Sequence, residues 1–122
     1  MMKTILVVMD DTIIGSLIVH MVARNTPHLV ILVNNGSEAL ALTREVKPDL
    51  FLLDSLLPDM NGKNLYNCLH KRKALQDVPA IIFNMSLDQP DMQQESEKRE
   101  LVCINDPLTL PGFLGLLEQT LS

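Results

Sequence analysis

The chain has 122 residues, a formal net charge of −5, 47% apolar residues and only 3% aromatics, with no tryptophan. That length suits a single domain spanning 1–122 with one core, and the core must be aliphatic, topped up by methionine. The acidic balance argues against nucleic acid as a direct partner, and no apolar stretch approaches the length that spans a bilayer.

The apolar pattern alternates between short continuous runs and helical periods. Lys3 to Met9 reads as a strand, and Thr12 can cap a helix over Ile13 to Arg24, which Pro27 stops. Leu29 to Val33 is a second strand. The turn Asn34-Asn35-Gly36 leads to Ser37 as the cap of a helix with Ala39, Leu40, Leu42 and Val46 at helical spacing. Pro48 ends that segment and Leu50 to Leu53 is strand three. The loop Pro58-Asp59-Met60-Asn61-Gly62 precedes a helix that turns Leu65, Cys68 and Leu69 inward. It closes on the basic run His70-Lys71-Arg72-Lys73, read as a solvated helix end that suits the helix dipole. Val78 to Phe83 and Leu101 to Ile104 are strands four and five. Thr109 caps a last helix carrying Phe113, Leu114, Leu117 and Leu121. Between them, residues 88–99 lack an apolar stripe, so any helix there is short or mobile. Strands alternating with helices give an α/β fold, a (βα)5 three-layer sandwich around a parallel sheet.

Two apolar runs end in acid: Ile5-Leu6-Val7-Val8-Met9 in Asp10-Asp11, and Leu50-Phe51-Leu52-Leu53 in Asp54. As buried parallel strands, both have their carboxyl ends on one sheet edge, where open α/β sheets bind ligands. Three carboxylates there make a hard oxygen pocket suited to Mg²⁺, with Asp54 available as a nucleophile. Cys68 and Cys103 show no metal or redox spacing and read as reduced, packed thiols of a cytoplasmic protein. The N-terminus lacks the cleavage site of a signal peptide. His20 and His28 read as solvent-facing or half-packed, and Met9, Met60, Met85 and Met92 as gap fillers.

Asp10-Asp11 after strand one, Asp54 closing strand three, the loop Leu57-Pro58-Asp59-Met60-Asn61-Gly62 and Pro107 after strand five together resemble the receiver domain of two-component response regulators. The resemblance covers the whole chain. It implies a flavodoxin-like fold with a five-stranded parallel sheet in the order 2-1-3-4-5. It implies that Asp54 accepts a phosphoryl group from a phosphohistidine on a sensor kinase. Mg²⁺ would then be held by Asp11, Asp54 and the backbone carbonyl of Leu56, with Asp10 acting through water. Phosphoryl transfer needs in-line positioning and cations on the developing charge, which agrees with such an edge.

Three positions depart from the family pattern. Asn84 stands where receivers carry a Ser or Thr hydroxyl, Asp106 where they carry a Lys, and Cys103 where an aromatic swings with the hydroxyl. A unit charge pair about 4 Å apart at an effective dielectric of about 20 is worth roughly 4 kcal/mol, so turning Lys into Asp costs an aspartyl phosphate several kcal/mol unless Asp106 turns to solvent. Crowded carboxylates also raise at least one pKa in the absence of metal. The expectation is a stand-alone signalling interaction module with a degenerate phosphorylation pocket, not an enzyme. One alternative is a working phosphorelay intermediate using Asp54. Another is a Mg²⁺-dependent phosphatase, disfavoured because Leu56 stands where a second acid is needed. Helix one carries its inward stripe at Gly15, Ile18, Val19, Val22 and Ala23. Ile14, Leu17 and Met21 fall outside it and suggest a docking or homodimer surface for a kinase or other signalling protein.

Overall fold

The computed structural model describes residues 2–84, 101–104 and 112–121. Five strands, β1 (Thr4–Val8), β2 (Leu29–Val33), β3 (Leu50–Asp54), β4 (Ala80–Phe83) and β5 (Leu101–Ile104), form one sheet in the order β2-β1-β3-β4-β5. Every neighbouring pair is parallel. Four helices are described: α1 (Thr12–Asn25), α2 (Gly36–Leu42), α3 (Gly62–His70) and α4 (Phe113–Leu121). The α/β sandwich and its strand order are those expected.

Side chains alternate across a strand, so the continuous apolar runs supply two cores at once. Leu6, Val8, Phe51, Leu53, Ala80 and Ile82 pack on one face with Ala39 of α2 and Leu65, Tyr66 and Leu69 of α3. Ile5, Val7, Leu50, Leu52, Ile81 and Phe83 pack on the other with Ile18 and Val22 of α1 and Phe113 and Leu117 of α4. The register pairs Val8 with Leu53 and Asp54 with Phe83, which brings the carboxyl ends of β1, β3 and β4 to a common rim.

Several boundaries differ from the sequence reading, each for a local reason. Asp11, not Thr12, caps α1: its carboxylate accepts the Ile13 and Ile14 N–H groups at 2.9 and 3.1 Å. Asn35, not Ser37, caps α2, and its side-chain oxygen accepts the Glu38 N–H at 2.8 Å. In each case an Asp or Asn stands where the chain turns into the helix, and its short carbonyl arm reaches the orphan amides. The α2 helix stops at Leu42, before Val46, and just beyond it the Thr43 hydroxyl folds back onto the Ala39 carbonyl at 2.8 Å. A 3-10 turn, Lys73–Leu75, follows α3 and buries Leu75.

Arg72, read as part of a solvated helix end, and His28, read as solvent-facing or half-packed, both take part in the packing. Arg72 donates from one guanidinium nitrogen to the Leu40 carbonyl at 2.9 Å and to the Thr43 hydroxyl at 2.8 Å, joining the end of α3 to the end of α2. His28 is buried: its Nδ1 accepts the Lys3 N–H at 3.0 Å and its Nε2 lies 2.9 Å from the Glu118 carboxylate of α4. His20 is exposed, as expected. The readings of Met85, residues 88–99, Asp106, Pro107 and Thr109 lie outside the described residues.

Candidate functional site at the carboxyl edge of the sheet

Asp54 is the last residue of β3 and is 7% exposed. The Leu56 N–H donates to its Oδ1 at 3.2 Å. Burial, reinforced by the negative charges of Asp10 and Asp11, outweighs that hydrogen bond and its Ser55 counterpart, raising the carboxyl from an ordinary 3.8 to about 6. Asp10 and Asp11 are both exposed beyond the end of β1. Of the three acids in the sequence reading, Asp10 and Asp11 thus bear on the charge of Asp54.

The loop after β3 is closed by its own hydrogen bonds. Leu57 N–H donates to the Met60 carbonyl at 3.0 Å, Gly62 N–H to the Ser55 carbonyl at 2.9 Å, and Leu56 and Asn61 form a short antiparallel bridge. Gly62 is required by contact: a β-carbon there would strike the Asp54 carbonyl oxygen. Its closeness lets α3 start directly beneath the acid.

Asp59 in the same loop reaches across to α2. Its two oxygens accept the Gly36 and Ser37 N–H groups, each at 2.9 Å, and the Ser37 hydroxyl at 2.8 Å. These bonds, that from Gly36 first, hold the Asp59 carboxyl below its usual range. Met60 packs over Gly36, where a side chain would collide with the thioether.

Asn84 follows β4, 3% exposed. Its N–H donates to the Ile104 carbonyl at 3.0 Å, and its Oδ1 accepts the Ser55 hydroxyl at 3.3 Å. Ser55, also buried, is not marked out by the sequence reading. The signal for it is a small polar residue placed directly after a strand-end acid and three residues before Pro58 of the loop Pro58-Asp59-Met60-Asn61-Gly62. The clamp by Asp59 was likewise unassigned; an acid opposite a Gly-Ser helix start is its mark.

Leu56, named for its backbone carbonyl, presents a half-exposed side chain. Cys103 takes its place in β5 opposite Ile82, and Asp106 lies outside the described residues. The acid edge offers hard oxygen donors whose mutual repulsion a divalent cation would relieve. Among the described residues, however, no three His, Cys, Asp or Glu side chains stand as a ready-made metal-binding group. Asp11, moreover, uses one oxygen to cap α1.

On α1 the inward stripe is narrower than expected. Gly15, Ile18 and Val22 are buried, Val19 is half-buried and Ala23 is exposed. Ile14 and Met21 of the suggested docking surface are half-buried and pack against the core, because they flank Ile18 and Val22 on the helix. Leu17 remains exposed and pairs instead with Ile13. The two line a shallow groove of 580 Å³ with Thr12, Ser16 and His20.

Residues 5–108 match the family model described as the response regulator receiver domain. The chain is 35% identical over 92 residues to the DNA-binding response regulator MtrA of Mycolicibacterium smegmatis, covering 75% of this chain and 39% of that protein. It is 30% identical to the polar-differentiation response regulator DivK of Brucella anthropi, covering 71% of each. The chain thus spans about two fifths (39%) of MtrA and most of DivK. The chemotaxis response regulator CheY4 of Vibrio cholerae superposes over the full length of both chains with a TM-score of 0.80 at 20% identity. No helix among the described residues is long and apolar enough to cross a membrane. A parallel sheet in this order, with Asp54 at its carboxyl edge beside an acidic pair, and a family match across most of the sequence place this chain in the response regulator receiver domain family of two-component signalling.

Proposed function

We propose that this receiver domain is a signalling interaction module in which Asp54 holds the phosphoacceptor position while the groups that read its phosphorylation have changed. The supporting observation is Asn84. It is buried at the end of β4, its side-chain oxygen engaged by Ser55, at the position where the family carries a hydroxyl. An amide is larger than a hydroxyl, and with its oxygen held by the Ser55 hydroxyl its rotation is tied to that neighbour, so it cannot swing as a hydroxyl does. Asp106 replaces the usual Lys and withdraws the counter-charge from the same group.

In this reading a carboxylate oxygen of Asp54 attacks the phosphorus of a kinase phosphohistidine, the phosphorus–nitrogen bond breaks, and the imidazole leaves. Asp10, Asp11, Asp54 and the Leu56 carbonyl would hold Mg²⁺, which when bound neutralises charge shared by the acids and the phosphoryl group. The partners are a sensor histidine kinase or another signalling protein in the cytoplasm, with the Ile13–Leu17 face of α1 as the exposed apolar surface open to them or to a second copy.

A phosphorelay intermediate is the second reading, favoured by the acidic pair and Asp54 sharing one rim. A phosphatase is opposed by Leu56, which has no proton to give a leaving group.

The test is Mg²⁺-dependent labelling of Asp54 by a small phosphodonor such as acetyl phosphate. The chain is expected to label slowly, and the paired substitutions Asn84→Thr and Asp106→Lys to raise the rate about tenfold or more. A parent chain that labels as fast as the paired variant contradicts the reading.

A further inference from the structure

Two Asn-Gly links flank the acid edge, Asn35-Gly36 before α2 and Asn61-Gly62 before α3. In an Asn-Gly link the glycine nitrogen can attack the Asn side-chain carbonyl, because no side chain shields it. A carbon–nitrogen bond forms at Asn Cγ, the glycine nitrogen gives its proton to a solvent base, and ammonia leaves with the amide nitrogen. Water then opens the cyclic imide at either carbonyl, giving aspartate or isoaspartate.

The fold opposes this reaction at both links. Each Asn is a helix cap with extended backbone, ψ 171° at Asn35 and 162° at Asn61, which turns its β-carbon away from the next nitrogen. Each side-chain oxygen is held by a helix amide, Glu38 N–H at 2.8 Å and Asn64 N–H at 2.7 Å. The attacking nitrogens are held as well, but by different kinds of partner. Gly62 N–H is bound by the Ser55 backbone carbonyl, with Gly62 wedged against the Asp54 carbonyl in the buried floor of the site. Gly36 is buried under Met60, yet among the described residues its N–H is bound by a side chain, Asp59, on an exposed loop.

We infer that Asn35 is a site of spontaneous deamidation held in check by the Asp59 carboxylate, while Asn61, itself exposed, is protected by the backbone bond that holds its buried glycine against the end of β3. Loss of the Asp59 clamp frees the Gly36 nitrogen and lets the Asn35 backbone rotate into the reactive geometry. Isoaspartate at 35 adds a methylene to the main chain, so the cap on Glu38 is lost and the start of α2 is drawn off the loop that carries Leu56 and Asp59. Aspartate at 35 would keep the cap and add one negative charge.

The experiment is peptide mapping of the full chain after incubation in mildly alkaline buffer, with isoaspartyl methylation to separate the two products. In the parent, conversion at Asn35 is expected to exceed that at Asn61. In Asp59→Ala it is expected to rise about tenfold, as for a tenfold gain in the locally open state, with Asn61 unchanged. Equal conversion at both links in the native parent, or an unchanged Asn35 rate in a folded Asp59→Ala, overturns the inference. Should Asp59→Ala lose its fold, Ser37→Ala removes one of the three bonds to Asp59. A smaller rise confined to Asn35 then supports the inference, and none overturns it.

Discussion

At the scale of single residues, the chemistry of the site turns on the cost of burying Asp54. Its carboxyl is raised to about 6 by burial and by its acidic neighbours, so the folded state binds that proton more tightly than the unfolded chain does. Folding is therefore favoured by this group below about pH 4, and the benefit is lost as pH rises through about 6. Above that pH the buried charge costs the fold about 2 kcal/mol, after allowance for solvent reaching the carboxylate rim. Asp54→Asn is expected to raise the melting temperature by roughly 6 °C at neutral pH and by almost nothing at pH about 4; thermal unfolding followed by circular dichroism at both pH values checks it. A gain of equal size at both would mean that packing, not charge, governs the site. The same residue shows what the sequence makes visible: an acid ending a buried apolar run reads as functional because nothing structural requires it there. Ser55 was overlooked for the converse reason, since a serine after a strand is ordinary until Asn84 is seen to engage it.

At the scale of elements, the helices on one face are tied by polar side chains that sequence patterns undervalue. Asp59 fixes the loop after β3 to the start of α2, and Arg72 fixes the end of α3 to the end of α2. With only seven residues, α2 is too short to be stable from propensity alone, so these two attachments hold it at both ends. Arg72→Ala is expected to lower stability by about 1–3 kcal/mol, the worth of two hydrogen bonds to a charged donor. Arg72→Lys should restore only part of it, because the strongly hydrated ammonium on its flexible stem is less readily seated between both acceptors. Urea midpoints for the three proteins give the comparison, and a loss below a few tenths of a kcal/mol in the alanine variant would show α2 is held by its apolar face alone. Periodicity located every described helix, yet helix starts were misassigned at α1 and α2. The competition between neighbouring capping residues, Asp11 against Thr12 and Asn35 against Ser37, is settled by backbone geometry that a linear pattern does not contain.

At the scale of the whole molecule, two apolar cores on opposite faces of one sheet hold the carboxyl rim rigid. That architecture was legible because parallel strands buried on both faces leave continuous apolar runs, and because the connecting helices must then cover both sides. The outer face of α1 was less legible: Ile14 and Met21 look exposed on an ideal helical wheel, but the width of the core draws them in and leaves Ile13 and Leu17 outside. What the rim does when loaded depends on whether a signal leaves it. In the function proposed above, Asn84 and Cys103 stand in place of a hydroxyl and an aromatic that would pass that signal through β4 and β5.

The most direct measurement is the backbone amide spectrum of the full chain titrated with Mg²⁺ and beryllofluoride, a mimic of the phosphoryl group. Shifts are expected at Asp10, Asp11 and the 54–61 loop, with the amides of Val102 to Ile104 in β5 and of α4 nearly unmoved. Shifts of comparable size spreading through β5 into α4 would show a working switch and contradict the account.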